Sequence, residues 1–148
     1  LKDTVKEAAD VLTKSAEEHH ETMHLDLKNA VVYGNSRLLY EIAYNLMDNA
    51  IRYNHDPGSV VVSTYTEDGL PFLKVSDTGI GIPEEDKARI FERFYRVDKS
   101  HSRATGGTGL GLSIVKHAVK LCKGNIELDS KAGEGTTFTV GFPENTED

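Results

Sequence analysis

Apolar spacing between Ser36 and Tyr53 constrains this chain more than any other feature. Leu39, Ile42, Ala43, Leu46 and Ala50 recur at three- and four-residue steps, the spacing of one helix face, while Glu41, Asn45 and Asn49 form a polar row on the other side. A helix divided in this way must bury one face against something. The same spacing in Leu1, Val5, Ala8, Leu12 and Ala16 predicts an amphipathic helix over 2–19, and a third helical pattern runs over 108–121 with Leu112, Val115 and Val119 as its buried face. Ser36 is expected to cap the middle helix, Asp56-Pro57-Gly58 to end it with a turn, and Gly124 to stop the last one.

Elsewhere the period is that of strands. Residues 23–27 and 30–33 read as two short extended pieces, and 60–66 and 71–76 as a hairpin turning at Glu67-Asp68-Gly69. Residues 125–129 and 136–142 read as the last two strands, joined by a turn around 133–135. A short helix is expected over 84–91, and a polar, basic loop over 94–107, of which 96–107 are expected to be poorly ordered without a ligand. The pattern predicts an α/β domain with one sheet covered by helices.

Its 148 residues suit a single domain. No apolar run is long enough to span a membrane, and no secretory leader stands at the start. The chain opens at Leu1 already in a helical pattern, so it reads as a piece of a longer protein. One cysteine, Cys122, rules out an intrachain disulfide and a cysteine-based zinc cluster, fits a reducing compartment, and reads as a small buried hydrophobe. A net charge of −7 argues against a nucleic-acid or anionic-membrane partner. The basic residues Lys87, Arg89, Arg93, Arg96, Lys99 and Arg103 are nevertheless crowded together, which suits a polyanionic small ligand as well as a solvated helix face.

Three segments carry chemistry. The carbonyls of Asn45 and Asn49, one helical turn apart, can approach one hard cation such as Mg²⁺, with Arg52 near enough to neutralise phosphate oxygens; a solvent-facing polar stripe fits the same pattern. Asp77-Thr78-Gly79-Ile80-Gly81-Ile82-Pro83 follows an apolar strand, and a strand-end carboxylate can accept a hydrogen bond from an exocyclic amine such as that of adenine; a tight Asp-Gly turn is the other reading. Gly106-Gly107-Thr108-Gly109-Leu110-Gly111-Leu112 opens a helix, where free N–H groups and the helix dipole attract anions. It is neither a dinucleotide fingerprint, since no strand precedes it, nor a P-loop, since no Gly-Lys-Ser/Thr ends it.

Taken in order, these segments resemble the catalytic domain of histidine kinases, within the superfamily of gyrase, heat-shock chaperone and mismatch-repair ATPases. Residues 41–54 resemble the N box of that family, 75–83 its first G box, 90–98 its F box and 106–117 its second G box; the stretch from Arg96 to Leu112 is most similar to sensors of the phosphate-regulon type. The resemblance covers nearly the whole chain. It implies a two-layer α/β sandwich, with a mixed sheet of about five strands and three main helices on one face, forming a single ATP-binding domain over 1–148 with a lid at about 94–107 and an acidic tail at 144–148.

The resemblance also implies roles. Asp77 binds the adenine amine, and Gly79, Gly81 and Ile82 shape the purine pocket. Asn45 and Asn49 hold Mg²⁺ against the triphosphate, Arg52 and Tyr53 contact phosphates, and Arg96 reaches the γ-phosphate or the partner domain. Phe91 and Phe94 anchor the lid, Gly107, Thr108, Gly109, Leu110, Gly111 and Leu112 close on the phosphates, and Thr136 assists the adenine contact through water.

In the family the nucleophile is a histidine followed by an acidic residue and a basic-Thr-Pro segment on a separate dimerisation domain. None of His19, His20, His24, His55, His101 and His117 has that context, so the expected transfer is in trans. The expected setting is the cytoplasmic part of a membrane-bound sensor that is homodimeric as a whole, although this piece is monomeric, with a response regulator downstream. Three alternatives are weighed: a gyrase- or chaperone-type ATP-hydrolysing domain, disfavoured because Asn45 stands where those enzymes carry a glutamate base; a non-catalytic nucleotide-binding adaptor; and a serine kinase of the anti-sigma type, disfavoured by the aromatic, basic segment from Phe91 to Asp98.

Overall fold

A computed structural model describes residues 1–32, 34–55, 57–92 and 111–143. Helix α1 (Lys2–Glu18) and helix α2 (Ser36–Arg52) flank strand β1 (Glu21–Leu27) in sequence. Strands β2 (Gly58–Glu67) and β3 (Leu70–Asp77) follow, then a 3₁₀ turn (Glu84–Asp86), helix α3 (Gly111–Leu121), and strands β4 (Asn125–Lys131) and β5 (Gly135–Gly141). The five strands form one mixed sheet in the order β1-β2-β3-β5-β4. Only the β1–β2 pair is parallel, as expected for strands joined through a crossover helix, here α2. The expected two-layer sandwich, with a five-stranded mixed sheet and three helices, is therefore present.

Alternation along the strands explains the single helical layer. Val60 and Val62 of β2, Leu73 and Val75 of β3, and Phe138 and Val140 of β5 are all buried and belong to one core with the helices. Their sequence neighbours Val61 and Lys74 are exposed on the opposite face. Helix α2 occupies the centre of the layer, with Ile42, Ala43, Leu46 and Met47 fully buried, and packs against α1, α3, β2 and β3. The hairpin expected from the sequence is present, with a turn tighter than Glu67-Asp68-Gly69: the chain turns from β2 to β3 at Asp68 and Gly69, with φ values of 52° and 79°.

Three expectations are corrected. Helix α2 is capped by Asn35, whose Oδ1 accepts from the N–H groups of Arg37 (2.9 Å) and Leu38 (3.4 Å), while Ser36 is its first helical residue. Residues 30–32 form no strand. The chain beyond β1 is tied instead to the end of β2, with Thr64 Oγ1 donating to the Lys28 carbonyl (2.6 Å) and Thr66 Oγ1 to that of Asn29 (2.9 Å), and β1 is the edge of the sheet. The expected helix over 84–91 is a 3₁₀ turn followed by further turns, with Arg89 N donating to Asp86 O and Glu92 N to Arg89 O. Of its apolar residues only Ile90 is buried, so no stripe exists to hold a full helix against the core. The expected lid over 94–107, with its predicted disorder, and the acidic tail lie outside the described residues.

Candidate functional site

Strand β3 ends at Asp77, and the chain then runs without regular structure to the 3₁₀ turn at Glu84. Two glycines seat this segment. A Cβ at Gly79 would strike the carbonyl of Tyr53, just past α2, and one at Gly81, whose φ is 71°, would strike the carbonyl of Lys131. The segment is thus clasped between the exit of α2 and the β4–β5 turn, with Ile80 N donating to Tyr53 O (3.1 Å) and Gly133 N to Ile80 O (2.7 Å).

Asp77 is held inside this clasp. Its Oδ1 accepts from Gly79 N (2.9 Å) and from Thr136 N on β5 (3.1 Å), and neither bond uses Oδ2. Burial pushes its carboxyl up to about 6, partly offset by those two N–H groups and by His55, all of which favour the ionised form. A desolvated carboxylate fixed by one oxygen suits recognition of a single amine donor.

Thr136 enters this geometry through its main chain. Its side chain is turned to Ser130, with 2.8 Å between the hydroxyls, and Ser130 Oγ also donates to Gly135 O and accepts from Ile82 N (2.8 Å). Ser130 therefore fixes both Ile82 and the strand that supplies the Asp77 contact. Sequence reading missed it, because one serine within a strand pattern carries no signal of its own. Asn54 and Thr78 were read only as members of motifs, yet they hydrogen-bond each other at 3.1 Å beneath the loop.

The polar side of α2 faces a second region. Asn45 Nδ2 donates to the Glu41 carbonyl (2.8 Å), which orients the amide, and Asn45 Oδ1 stands 3.4 Å from where a Cβ on Gly111 would be. The asparagine row and the start of α3 are thus side by side, and half-buried Asn49 lies one turn further along. Among the described residues no group of three His, Cys, Asp or Glu side chains could hold a metal ion. The fixed carboxamide oxygen of Asn45 has the hard-donor chemistry that Mg²⁺ accepts, with its remaining positions left to water and phosphate.

Arg52 is paired with Asp48, its Nε 3.0 Å from both carboxylate oxygens, and Tyr53 caps α2 by donating its N–H to Asn49 O. Phe91 packs edge-on against Phe138 at 6.2 Å, with Lys116 over its ring. Of the crowded basic residues, Lys87 pairs with Glu84 (2.7 Å) and Arg89 with Glu92 (3.2 Å). Leu112 is half-buried at the base of α3. Phe94, Arg96, Gly107, Thr108, Gly109 and Leu110 lie outside the described residues. The structure thus brings Asp77, Gly79, Gly81, Ile82 and Thr136 together at one end of α2, and Asn45 and Gly111 at its middle.

The chain is similar to known proteins over most of its length. Residues 34–146 match the family described as histidine kinase-, DNA gyrase B- and HSP90-like ATPases. The chain is similar to the sensor-like histidine kinase SenX3 of Mycolicibacterium smegmatis, 49% identical over 76% of this chain and 29% of that protein. It is also similar to the sensor histidine kinase RppB of Synechocystis, 37% identical over 97% of this chain and 32% of that protein. It therefore spans about a third of the length of these relatives, which are consistent with the phosphate-regulon-like subgroup. Among solved structures, the mycobacterial sensor histidine kinase MprB superposes with a TM-score of 0.84 at 27% identity, over 95% of this chain and 93% of that one. Full-length ShkA in complex with AMPPNP superposes with a TM-score of 0.81 at 26% identity, over 99% of this chain and 30% of that one. The chain belongs to the histidine kinase-, DNA gyrase B- and HSP90-like ATPase family, as a catalytic domain of the histidine-kinase type.

Proposed function

We propose that this domain binds Mg-ATP and transfers its γ-phosphoryl group to a histidine on a separate dimerisation domain of the same kinase. The observation that carries this reading is the Asp77 carboxylate, half-buried at a strand end and pinned through Oδ1 by Gly79 and Thr136. Adenine would place its amine there, between Gly79, Gly81 and Ile82. Asn45 and Asn49 would hold Mg²⁺ against the triphosphate, and the AMPPNP complex of ShkA supports the same class of ligand here. Mg²⁺ would supply charge neutralisation at the transferring phosphoryl group, the main demand of this chemistry on a protein.

Arg52 and Tyr53 would face the phosphates, with Arg52 first leaving Asp48. Gly111 and Leu112 at the start of α3, together with Phe94, Arg96 and 107–110, would complete the phosphate end. The setting we propose is the cytoplasmic part of a homodimeric sensor that passes the phosphoryl group to a response regulator. Among the described residues no helix is long and apolar enough to cross a membrane.

The test is calorimetric titration with Mg-AMPPNP, followed by phosphorylation of a separately supplied histidine-bearing domain. Loss of binding in Asp77→Asn, and of transfer in Asn49→Ala, is expected. Steady hydrolysis abolished by Glu41→Ala, with no transfer to histidine, would move the chain to the ATP-hydrolysing branch of the family.

A further inference from the structure

Asp77 is paired on both sides, with Val60 of β2 and Thr136 of β5, but the segment after it has no ladder of its own, so the course of the loop beside the carboxylate depends on what grips its residues. One grip is a buried carboxamide. Asn54, two residues past the end of α2, is only 7% exposed. Its Oδ1 accepts from Thr78 Oγ1 (3.1 Å) and from His55 N (2.8 Å), and its Nδ2 donates to the carbonyl of Ser59 at the start of β2 (2.9 Å). Thr78 closes the circuit: its Oγ1 accepts from Ser59 N (3.0 Å) and its own N–H donates to Ser59 O (3.2 Å). The helix exit, the first turn of β2 and the residue after Asp77 are thus tied through one side chain. A carboxamide suits this place because it offers a donor and an acceptor in one plane; aspartate would set a second oxygen against the Ser59 carbonyl, and leucine would satisfy neither partner.

We infer that Asn54 is a positioning residue for adenine recognition, clamping Thr78 to Ser59 so that the loop following Asp77 stands at a fixed place relative to Asn45 and Asn49 on α2. This rests on the reading of Asp77 as the adenine contact. Asn54 touches no ligand itself. Its effect falls on the base end of the nucleotide, because the loop it holds is the one that reads the base. The phosphate end is held by other residues of α2 and α3 and should be insensitive to it.

The test is titration of ADP and GDP against the wild type, Asn54→Ala, Thr78→Val and the double variant, with thermal midpoints measured alongside. Each single variant should lose about tenfold in ADP affinity, the scale of one or two hydrogen bonds, with little change for GDP. The double variant should lose no more than the worse single one, since both break the same circuit. A general loosening of the fold would lower both affinities together, so the ADP/GDP ratio separates positioning from stability. Thr78 lies on the exposed side of the loop, and Thr78→Val carries the test should Asn54→Ala fail to fold. An unchanged ratio in folded variants, or additive losses in the double variant, would overturn the inference and leave the adenine site standing. A wild type indifferent between ADP and GDP, or an Asp77→Asn variant that keeps the preference, would remove the adenine reading and this inference with it.

Discussion

Asp77 holds a charge where the protein pays for keeping it. Burial raises its carboxyl from 3.8 to about 6, so the folded state binds a proton more tightly than the unfolded chain does. The stability linked to that proton is fully present below pH 3.8 and lost as pH rises through about 6. Asp77→Asn should therefore be more stable than the wild type at pH 7.5, by about 2 kcal/mol in urea denaturation, and level with it near pH 4. Nucleotide affinity should run the opposite way, because the amine needs the ionised acceptor. ADP binding followed by calorimetry should weaken as pH falls from 7 to 5, in step with protonation of Asp77. The carboxylate was legible in the sequence because a strand ending in Asp-x-Gly-x-Gly is a local pattern. Ser130 and Asn54 were not, because a buried hydroxyl or amide takes its meaning from partners brought near by the fold, 48 positions away for Ile82 and 24 for Thr78.

At the scale of elements, periodicity was informative wherever an apolar stripe was long enough to bury. All three main helices and five strands were readable for that reason, with ends shifted by a residue or a few. The failures lie where burial does not decide. Residues 30–32 have strand-like composition but no neighbouring strand to pair with beyond the edge, and 84–91 lacks a stripe. Helix capping is equally poor in sequence signal, since Asn35 and Ser36 are both good caps and only backbone geometry chooses between them. The Asn35 φ of −72° and ψ of 119° are extended, as a cap requires. Asn35→Ala should cost about 1 kcal/mol in chemical denaturation, and Ser36→Ala less than half of that.

For the whole molecule, α2 acts as the common mount for the two halves of the candidate site, with the asparagines along its length and the loop after Asp77 against its exit. A ligand that spans both halves should therefore stabilise the domain as a unit. Mg-AMPPNP at about a hundred times its Kd should add about 2.7 kcal/mol, or roughly 5–10 °C in the thermal midpoint. EDTA, or Asn49→Ala in the presence of Mg²⁺, should remove most of that shift; an equal shift with and without metal would count against the asparagines as its ligands. Thr136 donates to a carboxylate 59 positions before it in the chain, and that bond adds a side-chain tie to the pairing of β3 with the final strand. Chains are made from the N-terminus onward. A growing polypeptide therefore carries Asp77 and Gly79 long before it carries Thr136, the second residue whose N–H holds the carboxylate. The adenine pocket we propose would be completed only when Gly135 and Thr136 emerge and dock beside β3, so an unfinished chain on the ribosome would lack it.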